Sequence, residues 1–253
     1  MGILELYHYF NTELADVRTN NWLFISSPIP FAVISFAYLY FVLRCGPRYM
    51  KDKSPYPCRT FIKFYNVFQI VTNSLIVYHI FEVGWYRDYF PYCVKPVYSY
   101  DPKPYKIAKL LWYIFFMKLI DYVETAVFVL RKKNRQISFL HVYHHISTAV
   151  ICWIGTKYFA VGMTLAIPVV NCAIHVIMYT YYLLSSFGPH IQPYLQPIKR
   201  IITIAQMVQF VVLICYSIQG FLPACSGLQV PTAISTVNLV INFILFYDFY
   251  TKS

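Results

Sequence analysis

Charge is what this chain lacks. Only 12% of its 253 residues are Asp, Glu, Lys or Arg, and just 10 are acidic. A soluble domain carries roughly twice that charged fraction, so there is too little charge here to clothe a water-exposed globule. Seven cysteines are scattered with no CxxC pair, which argues against a zinc site of the usual spacing. The first 22 residues, with Glu5, Glu13, Asp16 and Arg18, lack the basic-then-apolar order of a cleavable signal peptide, so none is expected. No repeat, low-complexity tract or second domain is visible. The net charge of +11 would suit nucleic acid, but no basic helix or aromatic nucleic-acid motif carries it.

What remains is apolar and aromatic. Hydrophobic residues make up 58% and aromatics 20%, with 25 Tyr and 21 Phe, and Tyr suits a membrane–water boundary. Seven apolar segments stand out, at about 23–43, 61–82, 109–130, 138–156, 162–185, 201–221 and 232–250. Each is near the ~20 residues that cross a bilayer as a helix. The expectation is an all-α polytopic membrane protein, one domain over residues 1–253. Basic residues collect after span one (Arg44, Arg48, Lys51, Lys53, Arg59, Lys63), after span three (Arg131, Lys132, Lys133, Arg135) and at the end of the loop after span five (Lys199, Arg200). The opposite side, with Arg18, Arg87, Lys95, Lys103, Lys106, Lys109 and Lys157, carries fewer. The richer side is expected to be cytosolic, with the N-terminus lumenal and the C-terminus cytosolic. Cys93 and Cys225 then share the lumenal side, which permits disulfides. Theirs is the pairing the topology favours, with two free thiols as the alternative.

Polar residues inside the spans form stripes. Span three carries Lys118, Asp121, Glu124 and Thr125; span five carries Asn171, His175, Tyr179 and Tyr182; span six carries Thr203, Gln206 and Gln209. All are at helical spacing. Span four opens with HVYHH, in which His141, His144 and His145 crowd five residues. Buried polar groups need partners, so the stripes are expected to face one internal cavity. Plainer readings stand beside this. Lys118 with Asp121 or Glu124 can be an interhelical ion pair, Gln206 and Gln209 hydrogen-bond glue, Tyr179 and Tyr182 packing, and Arg131 to Arg135 a topogenic charge cluster. For HVYHH with His175 no packing rationale competes, because leucine would pack better.

Histidine clusters hold metals or do chemistry. Membrane di-iron oxidases also use HxxHH boxes, but they need several, more than seven histidines can fill. One metal ion, helped by Asp121 and Glu124, stays open. Otherwise a neutral imidazole serves as nucleophile or general base.

At these residues the chain resembles the very-long-chain fatty acid elongases, the ELO family of 3-oxoacyl-CoA synthases. KLIDYVETAVFVLRKKNRQISFLHVYHH (Lys118 to His145) is similar to the family's KxxExxDT…LRKK…HxxHH block. NCAIHVIMYTYY (Asn171 to Tyr182) resembles its NxxxHxxMYxYY block, and TIAQMVQF (Thr203 to Phe210) its TxxQxxQF block. Two departures stand out. Asp121 and Glu124 replace the commoner Glu-then-Asp, and the chain ends in TKS without a dilysine retrieval signal.

The resemblance implies seven spans, six of them in an inverted barrel around a narrow acyl tunnel. It implies an endoplasmic reticulum enzyme that condenses a long-chain acyl-CoA with malonyl-CoA, needing no metal or redox cofactor. His144 is the implied nucleophile, oriented by His141 and His145, with His175 and Asn171 cradling the oxyanion. Lys118, Asp121, Glu124, Gln206, Gln209 and Tyr179 support them, and Arg131, Lys132, Lys133, Lys199 and Arg200 hold the CoA phosphates. Implied partners are the bilayer, the reductases and dehydratase of the elongation cycle, and a second copy of the chain. The competing classes are a seven-helix receptor or transporter, and a metal-dependent membrane lipid oxidase. HVYHH beside a basic run on the cytosolic edge speaks against the first.

Overall fold

The computed structural model describes residues 2–90, 93–188 and 190–252; Met1 and Ser253, the expected bounds of the domain, lie outside them. Helices follow in the order α1 (Ile3–His8), α2 (Pro28–Tyr40), α3 (Gly46–Met50), α4 (Arg59–Glu82), α5 (Trp85–Asp88), α6 (Pro102–Leu130), α7 (Phe139–Tyr158), α8 (Ala166–Ser185), α9 (Gln192–Ser217) and α10 (Gln229–Lys252). Among the described residues there is no strand.

Helix occupies all seven expected segments, but several start elsewhere. The first begins at Pro28, because Ser27 caps it by accepting the Ile29 N–H and proline suits the first turn. It then runs through a π-turn, Phe41–Cys45, into α3. The third begins at Pro102 rather than 109, and the sixth at Gln192 rather than 201. In both, prolines and polar residues hide helical turns that lie beyond the apolar run. As a result Lys199 and Arg200, expected in a loop, stand inside α9.

Four helical stretches, Pro28–Met50, Gly162–Ser185, Gln192–Phe221 and Gln229–Lys252, are long and apolar enough to cross a membrane. The chain is a multi-pass all-α membrane protein. On α2 and the turn after it, Ile29, Val33, Phe36, Tyr40 and Leu43 are exposed at alternating steps of four and three, an apolar stripe suited to hydrocarbon.

The chain forms two compact units. Unit 1 takes the residues up to Pro57 and Val97–Val161, with α1, α2, α3, α6 and α7. Its core is aromatic. Phe31 meets Phe115 edge-on at 5.5 Å and stacks on Trp153 at 6.0 Å, and Tyr38 stacks on Tyr122 at 4.1 Å. Such ring pairs contribute about 1 kcal/mol each beyond their burial. A Cβ on Gly46 would sit 2.6 Å from Val129, so only glycine lets this stretch close on α6.

A polar clamp holds the segment before α2. Arg18, 3% exposed, pairs with Asp16 and donates to the carbonyls of Ser99, Pro104 and Ala160. Lys157, expected as a boundary charge, is instead fully buried and donates to the Ile25 carbonyl at 2.9 Å. Buried cations persist because carbonyls replace their water.

Unit 2 takes Cys58–Pro96 and the residues from Gly162 onward. Here α4 and α9 pack on α8, and α10 packs on α9. One core gathers Met178, Tyr179 and Ile202 with Tyr65, Ile70, Tyr181 and Tyr182. Another gathers Phe210, Leu213 and Leu239 with Ile167, Val170 and Phe246. Cys93 and Cys225 are joined by a disulfide, with their Cα atoms 5.5 Å apart.

Candidate functional site

In unit 1 the site grows from a cap. Ser138 precedes α7 and its hydroxyl accepts the His141 N–H at 3.2 Å, which fixes where the helix starts. His141 and His145, four residues on, therefore share a face, with ring centroids 4.3 Å apart. His144 lies beside them, 5.9 Å from the His145 ring. Its carbonyl accepts the Thr148 hydroxyl at 2.6 Å. His145 is 7% exposed; His141 and His144 are half-buried.

The facing stripe belongs to α6, where Lys118, Asp121, Glu124 and Thr125 are all buried. The Lys118 ammonium reaches the Asp121 carboxylate at 3.2 Å. Thr125 Oγ1 stands 3.0 Å from Tyr38 Oη and 2.9 Å from His141 Nε2. A threonine hydroxyl has one proton to give. The simplest consistent order has Tyr38 donate to Thr125 and Thr125 donate to His141 Nε2, leaving the ring proton on Nδ1. Tyr38 is absent from the sequence-based set, since a tyrosine in an apolar run of span one carries no polar signal.

In unit 2, Asn171, His175 and Tyr179 are buried along one face of α8. The His175 and Tyr179 rings meet edge-on at 5.6 Å, and Tyr179 meets Tyr182 at 5.9 Å and Tyr65 at 5.9 Å. On α9, Gln206 Nε2 donates to the Met178 sulfur at 3.6 Å, while Gln209 is 5% exposed. A fourth polar stripe was missed. Asn66, Gln69 and Asn73 on α4 are 3%, 0% and 2% exposed. Their i, i+3, i+7 spacing inside the segment 61–82 was the available signal.

The basic residues are less gathered. Arg131 and Lys132 are half-buried and Lys133 exposed, just past the C-terminus of α6, where cations also offset the helix dipole. Lys132 Nζ donates to the Lys51 carbonyl. In unit 2, Lys199 and Arg200 are exposed, and Arg200 Nε donates to the Tyr250 hydroxyl at 3.0 Å. Among the described residues no group of three or more His, Cys, Asp or Glu is placed to hold a metal ion.

The pattern of the GNS1/SUR4 (ELO) family matches residues 23–253. The chain belongs to the ELO family. Among its relatives, very long chain fatty acid elongase 4 of Mus musculus is 39% identical over 253 residues, 99% of this chain and 79% of the mouse protein. Its Homo sapiens counterpart is 38% identical over 246 residues, 95% and 77% of the two chains. Human very long chain fatty acid elongase 1 is 35% identical over 241 residues, 94% and 86%. The ELO match takes in α7, α8 and α9, the helices that carry the candidate site histidines and glutamines. It begins after α1 and after the clamp residues Asp16 and Arg18.

Proposed function

We propose that this ELO-family protein works in fatty acid elongation as its condensing enzyme, a 3-oxoacyl-CoA synthase. It joins a long-chain acyl-CoA to malonyl-CoA, giving 3-oxoacyl-CoA, CO2 and free CoA. The observation that carries the reading is the imidazole triplet of α7, with His141 set by a hydroxyl chain from Tyr38 through Thr125. Such ordering belongs to a group whose proton state matters.

In this mechanism neutral His144 attacks the thioester carbonyl, the C–S bond breaks, and an acyl-imidazole forms. The proton shed by the acylated ring neutralises the departing thiolate. Malonyl-CoA then loses CO2, its C2 carbanion attacks the acyl carbon as the C–N bond breaks, and the departing imidazolate takes one proton from solvent, which restores the neutral imidazole. His141 and His145 orient His144. Asn171 and His175 are the donor types suited to an oxyanion, and Lys118, Asp121, Glu124, Gln206, Gln209 and Tyr179 hold the catalytic groups in place. Arg131, Lys132, Lys133, Lys199 and Arg200 supply cations for the CoA phosphates. No metal or redox cofactor takes part in this scheme. It is set in a seven-span, single-domain barrel around an acyl tunnel in the endoplasmic reticulum, N-terminus lumenal and C-terminus cytosolic. Its neighbours are the reductases and dehydratase that process a 3-oxoacyl product.

The test is incubation of purified protein with radiolabelled malonyl-CoA and a panel of acyl-CoAs. The expected result is labelled 3-oxoacyl-CoA with matching CO2 release. With acyl-CoA alone, an acyl mass shift should appear on the peptide holding His144. Absence of product across the panel, or acylation elsewhere, overturns the reading.

A further inference from the structure

The buried stripe on α4 has no role in that mechanism. Gln69 Nε2 donates to the Tyr65 hydroxyl at 2.8 Å, and Asn73 Nδ2 donates to the Gln69 main-chain and side-chain oxygens at 2.8 and 3.0 Å. Asn66 is different. It is 3% exposed, yet its Nδ2 has no hydrogen-bond partner among the described residues. Carboxamides in membrane helices usually bond across to a neighbouring helix. A buried donor left open has no structural use and disfavours the fold.

The register of α4 places this stripe. Near the start of α4 the Tyr65 ring meets Tyr179, near the end of α8. Just past α4 the Tyr89 ring lies against Gly162, just before α8. The two helices therefore run antiparallel. One turn on from the Tyr65–Tyr179 contact, Gln69 comes level with His175; one more turn brings Asn73 level with Asn171. Asn66 lies on the other side of Gln69, toward the basic end of α4 with Arg59 and Lys63. Seven residues of helix separate Arg59 from Asn66, about 10 Å.

We propose that the carboxamide stripe of α4 is part of the acyl-CoA site, and that Asn66 donates its open Nδ2–H to an amide carbonyl of the pantetheine arm. The inference rests on the acyl-CoA reading above. A ligand suited to this helix has an anionic head for Arg59 and Lys63 and a neutral acceptor about 10 Å further in, before the reacting carbon. A fatty tail offers no acceptor, and a phosphate would call for a cation rather than an amide. The pantetheine amides lie between the phosphates and the thioester and fit both demands.

The experiment compares wild type, Asn66→Leu and Asn66→Asp, the last keeping shape while removing the donor. Binding of hexadecyl-CoA, an unreactive thioether, is measured by calorimetry, together with KM, kcat and Tm. Both variants should bind it about tenfold more weakly, the effect of one hydrogen bond, with KM rising more than kcat falls. Asn66→Leu should match or exceed the wild-type Tm, since an open buried donor has been removed. An S-hexadecyl thioether lacking both pantetheine amides should bind all three proteins alike. Unchanged hexadecyl-CoA binding in the variants, or a Tm several degrees lower in Asn66→Leu, overturns the inference. If wild type binds hexadecyl-CoA but forms no 3-oxoacyl-CoA, the condensation reading fails while the Asn66 contact stands.

Discussion

The polar interiors of the two units are built from different chemistry. Unit 1 buries charge and closes it. Arg18 meets Asp16, Lys118 meets Asp121, and Tyr38, Thr125 and His141 form one hydrogen-bonded chain. Unit 2 buries carboxamides along its helices and leaves valences open there at Asn66 Nδ2 and Gln209 Oε1, whereas the open acceptors of unit 1, Asn11 Oδ1 and Asn20 Oδ1, lie in the segment before α2. A closed network fixes the orientation and proton state of its members. An open one keeps donors and acceptors for something that arrives later. On the proposed function, this contrast fits positioned chemistry at the histidine helix α7 and ligand recognition at the stripe of α4.

The largest effect tests the chemistry side. His144→Ala should lower condensation by several orders of magnitude, as expected for loss of a covalent nucleophile, with expression and Tm nearly unchanged. Asn66→Leu, on the recognition side, should act mainly through KM. Turnover of purified variants decides; an alanine variant keeping more than a few per cent of wild-type kcat breaks the division of labour.

Next in size is the closed charge network. Lys118 and Asp121 side chains are 6% and 2% exposed. Removing one partner of a buried pair costs about 3–5 kcal/mol, whereas replacing both with apolar groups is often neutral. Lys118→Met should therefore lower Tm by several degrees, and Lys118→Met with Asp121→Leu should recover most of it. Equal Tm values for the single and double variants would mean the two charges do not act as a unit.

The disulfide sharpens the comparison from the other side, because unit 2 ties its loops covalently where unit 1 uses the Arg18 clamp. Cys93 and Cys225 are separated by 132 residues, and a loop of that length sets a chain-entropy ceiling of about 5 kcal/mol. Helices held in a bilayer restrict the unfolded chain already, so Cys93→Ser with Cys225→Ser should cost about 2 kcal/mol, read as a lowered Tm in non-reducing buffer. Condensation should persist. Free alkylation of both thiols in unreduced wild type would remove the bridge.

Much of this was legible in the sequence. Among the described residues the apolar runs coincide with α2, α4, α6, α7, α8, α9 and α10, because hydrocarbon and core both select for apolar side chains at this length. The stripes on α6, α8 and α9 could be read because a charged or amide residue inside such a run is costly and therefore informative. The stripe on α4 is legible by the same logic, since Asn66, Gln69 and Asn73 are amides at helical spacing inside an apolar run. Topology made the Cys93–Cys225 pairing legible, but not the long-range bonds from buried cations to main-chain carbonyls. Lys157 looked like a boundary charge because nothing local shows that the Ile25 carbonyl will receive it. Arg18 is bonded to carbonyls at Ser99, Pro104 and Ala160, and no spacing rule connects positions so far apart.

The smallest expected effect probes the joint between structure and chemistry. Thr125→Val keeps the shape of the side chain and removes one hydroxyl. It leaves Tyr38 Oη and His141 Nε2 without the bridge that now lies 3.0 and 2.9 Å from them. The stability cost should be about 1–2 kcal/mol, the range for stranding buried polar atoms. Thr125→Ser keeps the hydroxyl and should cost less. The more telling readout is the tautomer. With Thr125 donating to His141 Nε2, nitrogen-15 shifts of His141 should report the proton on Nδ1 in wild type and in Thr125→Ser, and a mixture of tautomers in Thr125→Val. Turnover should follow the tautomer rather than the Tm, with kcat falling and KM holding in the valine variant alone. Identical His141 shifts in all three proteins would show that the hydroxyl chain packs α6 against α7 without setting any proton, and unit 1 would then lose the feature that separates it from unit 2.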